Sequence, residues 1–194
     1  FKLCYIDETN DPVEVWENHS KVRAERGKKI DAYGFTKFHY TAESNGTDFT
    51  VFLTPYSKFH YDRPADRISF HANIPSEEIC TSPEKYGAEG VIYASRPLVL
   101  GGKSIENFGF RFENGKVVEI HADKNEALLQ KMVTMDEGAA YLGECALVPF
   151  TSPINQTGIL FYNTLFDENA RCHLALGAGF SDTIKNYENY TLDE

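Results

Sequence analysis

The first third of the chain changes from helical to strand-like hydrophobic periodicity near Phe35. Asp11 followed by Pro12 is typical of an N-cap and the first position of a helix. The polar segment that follows predicts an amphipathic helix from Pro12 to about Lys29. Its expected apolar face consists of Val15, Trp16, Val22 and Ala24.

Alternating apolar and polar residues dominate the next part of the chain and predict strands. Residues 35–43 and 47–56 alternate around Asn45-Gly46, which favours a β-hairpin turn. Further strands are expected at 68–72 and 90–95. Residues 104–121 are expected to form two strands that turn at Glu-Asn-Gly-Lys, 113–116, a strong type I′ turn signal.

The second half combines helical and strand patterns without a repeat or a linker. The spacing predicts a helix over 123–141, strands over 145–150 and 158–163, and a helix over 168–176. We therefore predict the α+β class: a strand-rich mixed sheet with antiparallel hairpins and a few flanking helices. The expected domain organisation is a single unit, 1–194.

Composition and charge narrow the function classes. The chain has 194 residues, 42% of them hydrophobic and 25% charged, as in an ordinary soluble globular protein. A formal charge of −10 argues against a nucleic-acid or anionic-membrane partner, each of which favours a basic surface. No run of about 18 apolar residues suggests a membrane span. The charge fits carboxylates gathered around a cation, and equally a solubilising acidic surface.

The four cysteines indicate neither a zinc ribbon nor a disulfide framework. Cys4, Cys80, Cys145 and Cys172 lie far apart and form no CxxC pair. Reduced thiols in a cytoplasmic protein are the expectation.

Acidic residues and a histidine interrupt apolar sequence at three places. Glu77 and Glu78 follow a predicted strand, Glu144 begins a short apolar run, and His173 lies within another apolar segment. Burying such a group without a partner costs several kcal/mol, so each suggests a site. Spacing alone leaves the structural alternatives open. These are a surface pair for the two glutamates, a helix-end or paired acid for Glu144, and a core histidine for His173.

Four longer strings resemble the cytosolic metalloaminopeptidases typified by aminopeptidase T and aminopeptidase S. The resemblance extends from about Tyr40 to Phe180, with the strings in the same order and at similar spacing. The strings are ANIPSEEICTSP (72–83), EGVIYASRPLVLGG (89–102), LGECALVPF (142–150) and FYNTLFDENARCHLALGAGF (161–180).

The resemblance implies a pair of divalent metal ions, zinc, cobalt or manganese, and an activated water that attacks the first peptide bond of a peptide. It implies that Glu78, Glu144 and His173 are metal ligands. Glu144 or Glu78 is the expected catalytic proton acceptor. Asp167 and Glu168 are expected to orient His173, with a helix N-cap and a first-turn acid as the alternative. A homodimer that acts on peptides is implied.

Two departures from the family pattern qualify this expectation. Phe180 stands where the family has a ligand tyrosine, which leaves Tyr187 or Tyr190 as substitutes. The family's final histidine and aspartate ligands are expected beyond Glu194, and its N-terminal domain ahead of Phe1. The chain is thus expected to be a catalytic-region fragment.

Two other functions stay open at this point. Phe180 favours a catalytically silent homologue that serves as a binding or structural protein. A glycosidase that uses Glu78 and Glu144 as acid and base is the other alternative, and no motif supports it.

Overall fold

A computed structural model of the chain describes residues 1–59, 63–65, 68–70 and 73–189. Its helices are α1 (Pro12–Tyr33), α2 (Glu126–Val133), α3 (Pro153–Thr157) and α4 (Thr164–Glu168). Its strands are β1 (Lys37–Ala42), β2 (Thr47–Phe52), β3 (Arg63–Ala65), β4 (Ile68–Phe70), β5 (Ile79–Thr81), β6 (Ala88–Tyr93), β7 (Leu98–Leu100), β8 (Lys103–Ile105), β9 (Gly109–Glu113), β10 (Lys116–His121), β11 (Leu142–Leu147) and β12 (His173–Leu176). The predicted α+β class is confirmed.

The chain divides into two compact units. The first comprises Phe1–Gly34, Lys58–Thr81 and Ala146–His173, and it contains α1, α3 and α4. The second comprises Phe35–Ser57, Ser82–Cys145 and Leu174–Glu194.

A five-stranded sheet in the order β1-β2-β6-β9-β10 forms the framework of the second unit, and each neighbouring pair is antiparallel. Residues alternate between buried and exposed along β2, where Phe49 and Val51 are completely buried. The Phe49 and Phe112 rings lie 5.1 Å apart, centre to centre. Helix α2 adds Val133 to the same core. This alternation is what a sheet with one covered face requires.

Both predicted hairpins are confirmed. Strands β1 and β2 pair antiparallel, as do β9 and β10. Asn114 and Gly115 connect the second pair with φ angles of 50° and 79°, the left-handed conformation that a type I′ turn needs. The strand expected at 68–72 is present as β4, and positions 71 and 72 lie outside the described residues.

Helix α1 is longer than expected, and its buried face differs from the predicted one at Val22. It continues to Tyr33, four residues past the predicted end at Lys29. Val22, expected on the apolar face, is 44% exposed, and Arg23 is buried in its place. A polar side chain can be buried on a helix if its polar atoms find partners, so hydrophobicity alone did not predict the burial of Arg23.

Three predictions in the second half were wrong. The helix expected over 123–141 is only α2, since residues 134–140 form turns and bends. The strand expected over 158–163 is irregular, and Tyr162 has a φ of 56°, which extended backbone does not allow. The helix expected over 168–176 is instead a turn followed by strand β12.

Strands β12, β11 and β5 form a three-stranded sheet with β11 in the middle. His173 is the first residue of β12, and Glu144 is the third residue of β11. Glu78 directly precedes β5. Among the residues that the structure describes, no helix is both long and apolar enough to cross a membrane.

Candidate metal centre

Glu78 and His173 meet at close range. Oε2 of Glu78 lies 3.1 Å from Nε2 of His173, and the two side chains are only 16% and 18% exposed. Each of these two atoms is buried from solvent. A carboxylate and an imidazole thus face each other in a place that water reaches poorly.

The second ring nitrogen of His173 fixes what Nε2 can do. Nδ1 lies 3.1 Å from the backbone carbonyl oxygen of Arg171, and a carbonyl only accepts hydrogen bonds. Nδ1 therefore carries the hydrogen, and Nε2 of the neutral ring presents a lone pair to the Glu78 oxygen. Two lone pairs at this distance require a cation, either a proton or a metal ion, to bind both of them.

Glu144, on strand β11, adds a second acid to the candidate ligands. Glu78, Glu144 and His173 each offer one ligand atom to a metal ion. All three side chains are half-buried. Carboxylate oxygens with an imidazole nitrogen suit zinc, cobalt or manganese. The residues fit a divalent cation.

A close backbone contact explains why a glycine, Gly143, precedes Glu144. A Cβ at this position would lie 2.6 Å from the carbonyl oxygen of Gly177 and would overlap the carbonyl group of Ala178. The backbone that follows β12 therefore packs directly on Gly143. Only glycine permits that approach, one residue before Glu144.

Glu77, the other acid of the pair, is not a member of the ligand set. It is 1% exposed, and its Oε1 is 3.4 Å from Nε2 of His19. Burial raises the pKa of the Glu77 carboxyl above its usual value. The hydrogen bond from Tyr5 and the charges of Arg26 and Arg23 act in the opposite direction.

Burial, the Glu77 charge and the hydrogen bond to Glu77 raise the pKa of the Tyr5 hydroxyl. Tyr5 therefore stays protonated and donates to the carboxylate. The Tyr5 and Trp16 rings each lie 4.9 Å from the His19 ring, centre to centre. The Glu77 carboxylate is thus buried in an aromatic and cationic environment in the first unit.

The structure places Asp167 in helix α4. Its carboxylate accepts the backbone N–H groups of Phe161 at 2.8 Å and Asn163 at 3.0 Å. These two bonds flank Tyr162, whose backbone is left-handed. Glu168 is the last residue of α4. That Asp167 and Glu168 orient His173 stays a prediction, and the Arg171 carbonyl already performs that task at Nδ1.

Phe180 has a fixed backbone. Its N–H donates to Oγ of Ser82 at 2.7 Å, and its carbonyl accepts from Oγ1 of Thr183 at 2.6 Å. Of its two suggested substitutes, Tyr187 begins a short 3₁₀ turn and is 47% exposed. Tyr190 lies outside the described residues.

Sequence reasoning missed the residues that hold the Glu78 backbone. His19, Arg23 and Asn169 contact residues 76–78 from 55 to 92 positions away in the chain. Arg23 left one usable signal: it lies seven residues, about two helical turns, after the buried Trp16. An arginine on the buried face of a helix needs a hydrogen-bond acceptor for its guanidinium group.

Comparison with known proteins identifies the family of this chain. The family profile described as thermophilic metalloprotease (M29) matches residues 1–194. The chain is 43% identical over 199 residues to aminopeptidase AmpS of Bacillus subtilis (strain 168), covering 100% of this chain and 47% of that protein. It is 38% identical over 195 residues to aminopeptidase T of Thermus aquaticus, covering 95% of this chain and 45% of that protein.

A solved structure agrees with the sequence relatives. Wild-type AmpT from Thermus thermophilus superposes with a TM-score of 0.83 at 38% identity, over 91% of this chain and 45% of that one. The chain therefore spans about half the length of the curated relatives it matches. With a family profile that matches from Phe1 to Glu194, the chain belongs to the thermophilic metalloprotease (M29) family.

Proposed function

We propose that the full-length protein is a metal-dependent aminopeptidase, which removes the N-terminal residue from peptides with the help of two divalent ions. Family membership supports the metalloprotease class. The observation that carries the proposal is the contact of His173 Nε2 with Glu78 Oε2 at 3.1 Å, and Glu144 offers a further carboxylate oxygen. Such a set of lone pairs is suited to a cation.

Zinc, cobalt or manganese is the proposed metal, because oxygen and imidazole ligands suit all three. When bound, the ions would supply a Lewis acid for the scissile carbonyl and a water that is nucleophilic at neutral pH. Three ligands are few for a pair of ions. The proposal therefore includes further ligands from the part of the full-length protein outside this chain.

The three side chains have related proposed roles. Glu78, His173 and one carboxylate oxygen of Glu144 bind metal. The other oxygen of Glu144 accepts the proton of the attacking water and transfers it to the leaving amine nitrogen as the C–N bond breaks. Glu144 suits this role better than Glu78, since Oε2 of Glu78 is already engaged with His173.

An assay of metal-dependent hydrolysis tests the proposal. We expect full-length protein stripped of metal by a chelator to release no p-nitroaniline from leucine p-nitroanilide, and to recover when zinc, cobalt or manganese is added. The N-acetylated substrate is the control, and it should remain intact because an aminopeptidase requires a free amine. Zinc binding without turnover under any of these conditions would instead indicate a catalytically silent homologue.

Glu144→Gln tests the proton acceptor. We expect kcat to fall by a factor of about 10² to 10⁴, the usual contribution of a general base, while the unfolding temperature changes little. Glu137→Gln is the matched control, since it removes an exposed acid of the same chain. Wild-type turnover in Glu144→Gln would discard the assigned role.

The oligomer and the location are also proposals carried over from the resemblance. A homodimer predicts twice the protomer mass in light scattering of the full-length protein. A monomer mass at micromolar concentration would reject it. Cell fractionation tests the proposed cytoplasmic location.

A further inference from the structure

The segment that carries Glu78 has no secondary structure of its own. Residues 76–78 belong to neither a helix nor a strand, and β5 begins only at Ile79. Without a ladder of backbone hydrogen bonds, the direction of the Glu78 side chain depends on other contacts. A ligand is useful only when its direction is held closely.

Side chains from distant elements bind this segment at three consecutive residues. Nε2 of His19 donates to the carbonyl oxygen of Ser76 at 2.9 Å. Nε of Arg23 donates to the carbonyl oxygen of Glu78 at 3.1 Å. The N–H of Glu77 donates to Oδ1 of Asn169 at 2.7 Å. Each residue of the segment thus has one backbone group fixed by a side chain.

Asn169 is suited to this task because both ends of its amide are used. It is completely buried, and its Nδ2 donates to the carbonyl oxygen of Leu165 at 2.9 Å. Its own carbonyl accepts from Oγ of Ser152 at 2.6 Å. Asn169 is therefore rigid, and it lies four residues before His173. The short segment 169–173 thus supplies the ligand His173 and also holds the backbone beside the other ligand, Glu78.

The Glu77 side chain contacts helix α1. Its buried carboxylate oxygen Oε1 is 3.4 Å from Nε2 of His19. Arg23 is itself 3% exposed. Helix α1 thus contacts both the Glu77 side chain and the Glu78 backbone, so that Glu78 is left to face His173.

We propose that Asn169 and Arg23 are positioning residues, which hold the backbone at Glu77 and Glu78 so that the Glu78 carboxylate and His173 capture metal together. This inference rests on the metal site of the proposed function. It assigns to α1 and to Asn169 a role in metal affinity, and neither contacts the substrate in this role. Outer partners that orient ligands typically change metal affinity by about 10- to 100-fold when removed.

The test measures zinc binding to metal-free full-length protein by competition with a chromophoric chelator. We expect Asn169→Ala to raise the zinc Kd by about 10- to 100-fold. Arg23→Lys should raise the zinc Kd as well, because lysine lacks the Nε–H that donates to the Glu78 carbonyl oxygen. Lysine still keeps a positive charge beside Glu77. This milder variant also keeps the test valid if Asn169→Ala does not fold.

Asp31→Ala is the matched control. Asp31 is also on α1, and its Oδ1 accepts the backbone N–H of Phe59 at 3.0 Å, so its loss removes a bond of the same kind. We expect a lower unfolding temperature with the wild-type zinc Kd. If Asn169→Ala and Arg23→Lys behave in this way too, their role is only structural and the inference is wrong.

The outcomes also separate the two proposals. Zinc binding by the wild-type protein without peptide hydrolysis would refute the peptidase and leave the positioning result standing. A wild-type protein that binds no zinc would refute the metal site and the inference with it. Full hydrolysis with unchanged zinc Kd in both variants would refute the positioning role alone.

Discussion

Gly143 influences the position of the acid that follows it, Glu144. Its missing side chain lets the carbonyl groups of Gly177 and Ala178 approach the strand that carries Glu144. Any Cβ there would push against backbone, which cannot rotate away as a flexible side chain can. The position of Glu144 therefore depends on the lack of a Cβ at Gly143.

Gly143→Ala should destabilise the protein by about 1 to 3 kcal/mol, the usual cost of overpacking. Urea denaturation of the metal-free protein measures the change in the free energy of unfolding. Gly138→Ala is the control, since a Cβ there would be 3.5 Å from Oδ1 of Asp136, an ordinary contact. Equal stability of the two variants would mean that the 177–178 backbone can move aside.

Single residues of the site were predictable to different extents. The family resemblance pointed to Glu78, Glu144 and His173, because each lies in a string of matching letters. Arg23 and Asn169 were missed, since their bonds join positions 55 and 92 residues apart. Polar contacts over such separations leave no periodicity, and a buried arginine on a helix looks like a solvated one until its neighbours are known.

Elements were predicted well where local chemistry decides them. The Asn-Gly turns and the alternation of β2 fixed the hairpins, because a turn and one covered face act within a few residues. The segment 168–176 failed for the opposite reason. Its alanine and leucine spacing favours a helix, but pairing with β11 makes it a strand, and tertiary context overrides propensity.

The N-cap of α1 provides a test at the level of one helix. Oδ1 of Asp11 accepts the N–H of Val13 at 2.8 Å and that of Glu14 at 3.3 Å. Asp11→Ala should lower the free energy of unfolding by about 1 kcal/mol, as loss of such a cap usually does. Asp11→Asn retains the acceptor and should remain near the wild type. Chemical denaturation compares them, and equal losses in both variants would contradict the capping role.

The hairpin of β9 and β10 should be sensitive to acid. Arg111 contacts Glu113 and Glu119, and its bond to Glu119 is 2.6 Å long. Arg111 lowers the pKa of Glu119 below its usual value. A lowered folded-state pKa gives stability that is present above the unfolded value and is lost as the pH falls through the folded one.

Glu119→Gln should therefore flatten the acid side of the stability curve, because it removes at neutral pH the contribution that the wild-type protein loses only in acid. Thermal unfolding between pH 7 and about pH 2 measures this dependence, over the range where a paired carboxylate loses its contribution. Glu137→Gln, at an exposed acid outside the hairpin, should keep the wild-type slope. If the slopes of the two variants agree, Arg111 does not stabilise ionised Glu119.

For the whole molecule, the charge of −10 and the ligand set predict a protein that a cation stabilises. A ligand that binds only the folded state adds about 2.7 kcal/mol at a hundred times its Kd. Zinc at that ratio should raise the unfolding temperature of metal-free full-length protein, and a chelator should reverse the rise. Differential scanning calorimetry measures both.

His173→Ala should abolish the zinc-dependent rise. His121→Ala is its control, because His121 is an exposed histidine paired with Asp123 at 3.3 Å and should leave the rise intact. A rise of the same size in His173→Ala would locate the stabilising zinc elsewhere on the protein.

The three bonds that hold residues 76–78 also set an order of events during translation. Helix α1 and Glu78 leave the ribosome long before Asn169 and His173 are made. Glu77 and Asn169 are 92 positions apart in the chain. The nascent chain therefore contains Glu78 without Asn169 or His173 while nearly a hundred further residues are made. If the proposed metal site is correct, metal loading would come late in biogenesis, and a product that ends before residue 169 would bind the metal less tightly.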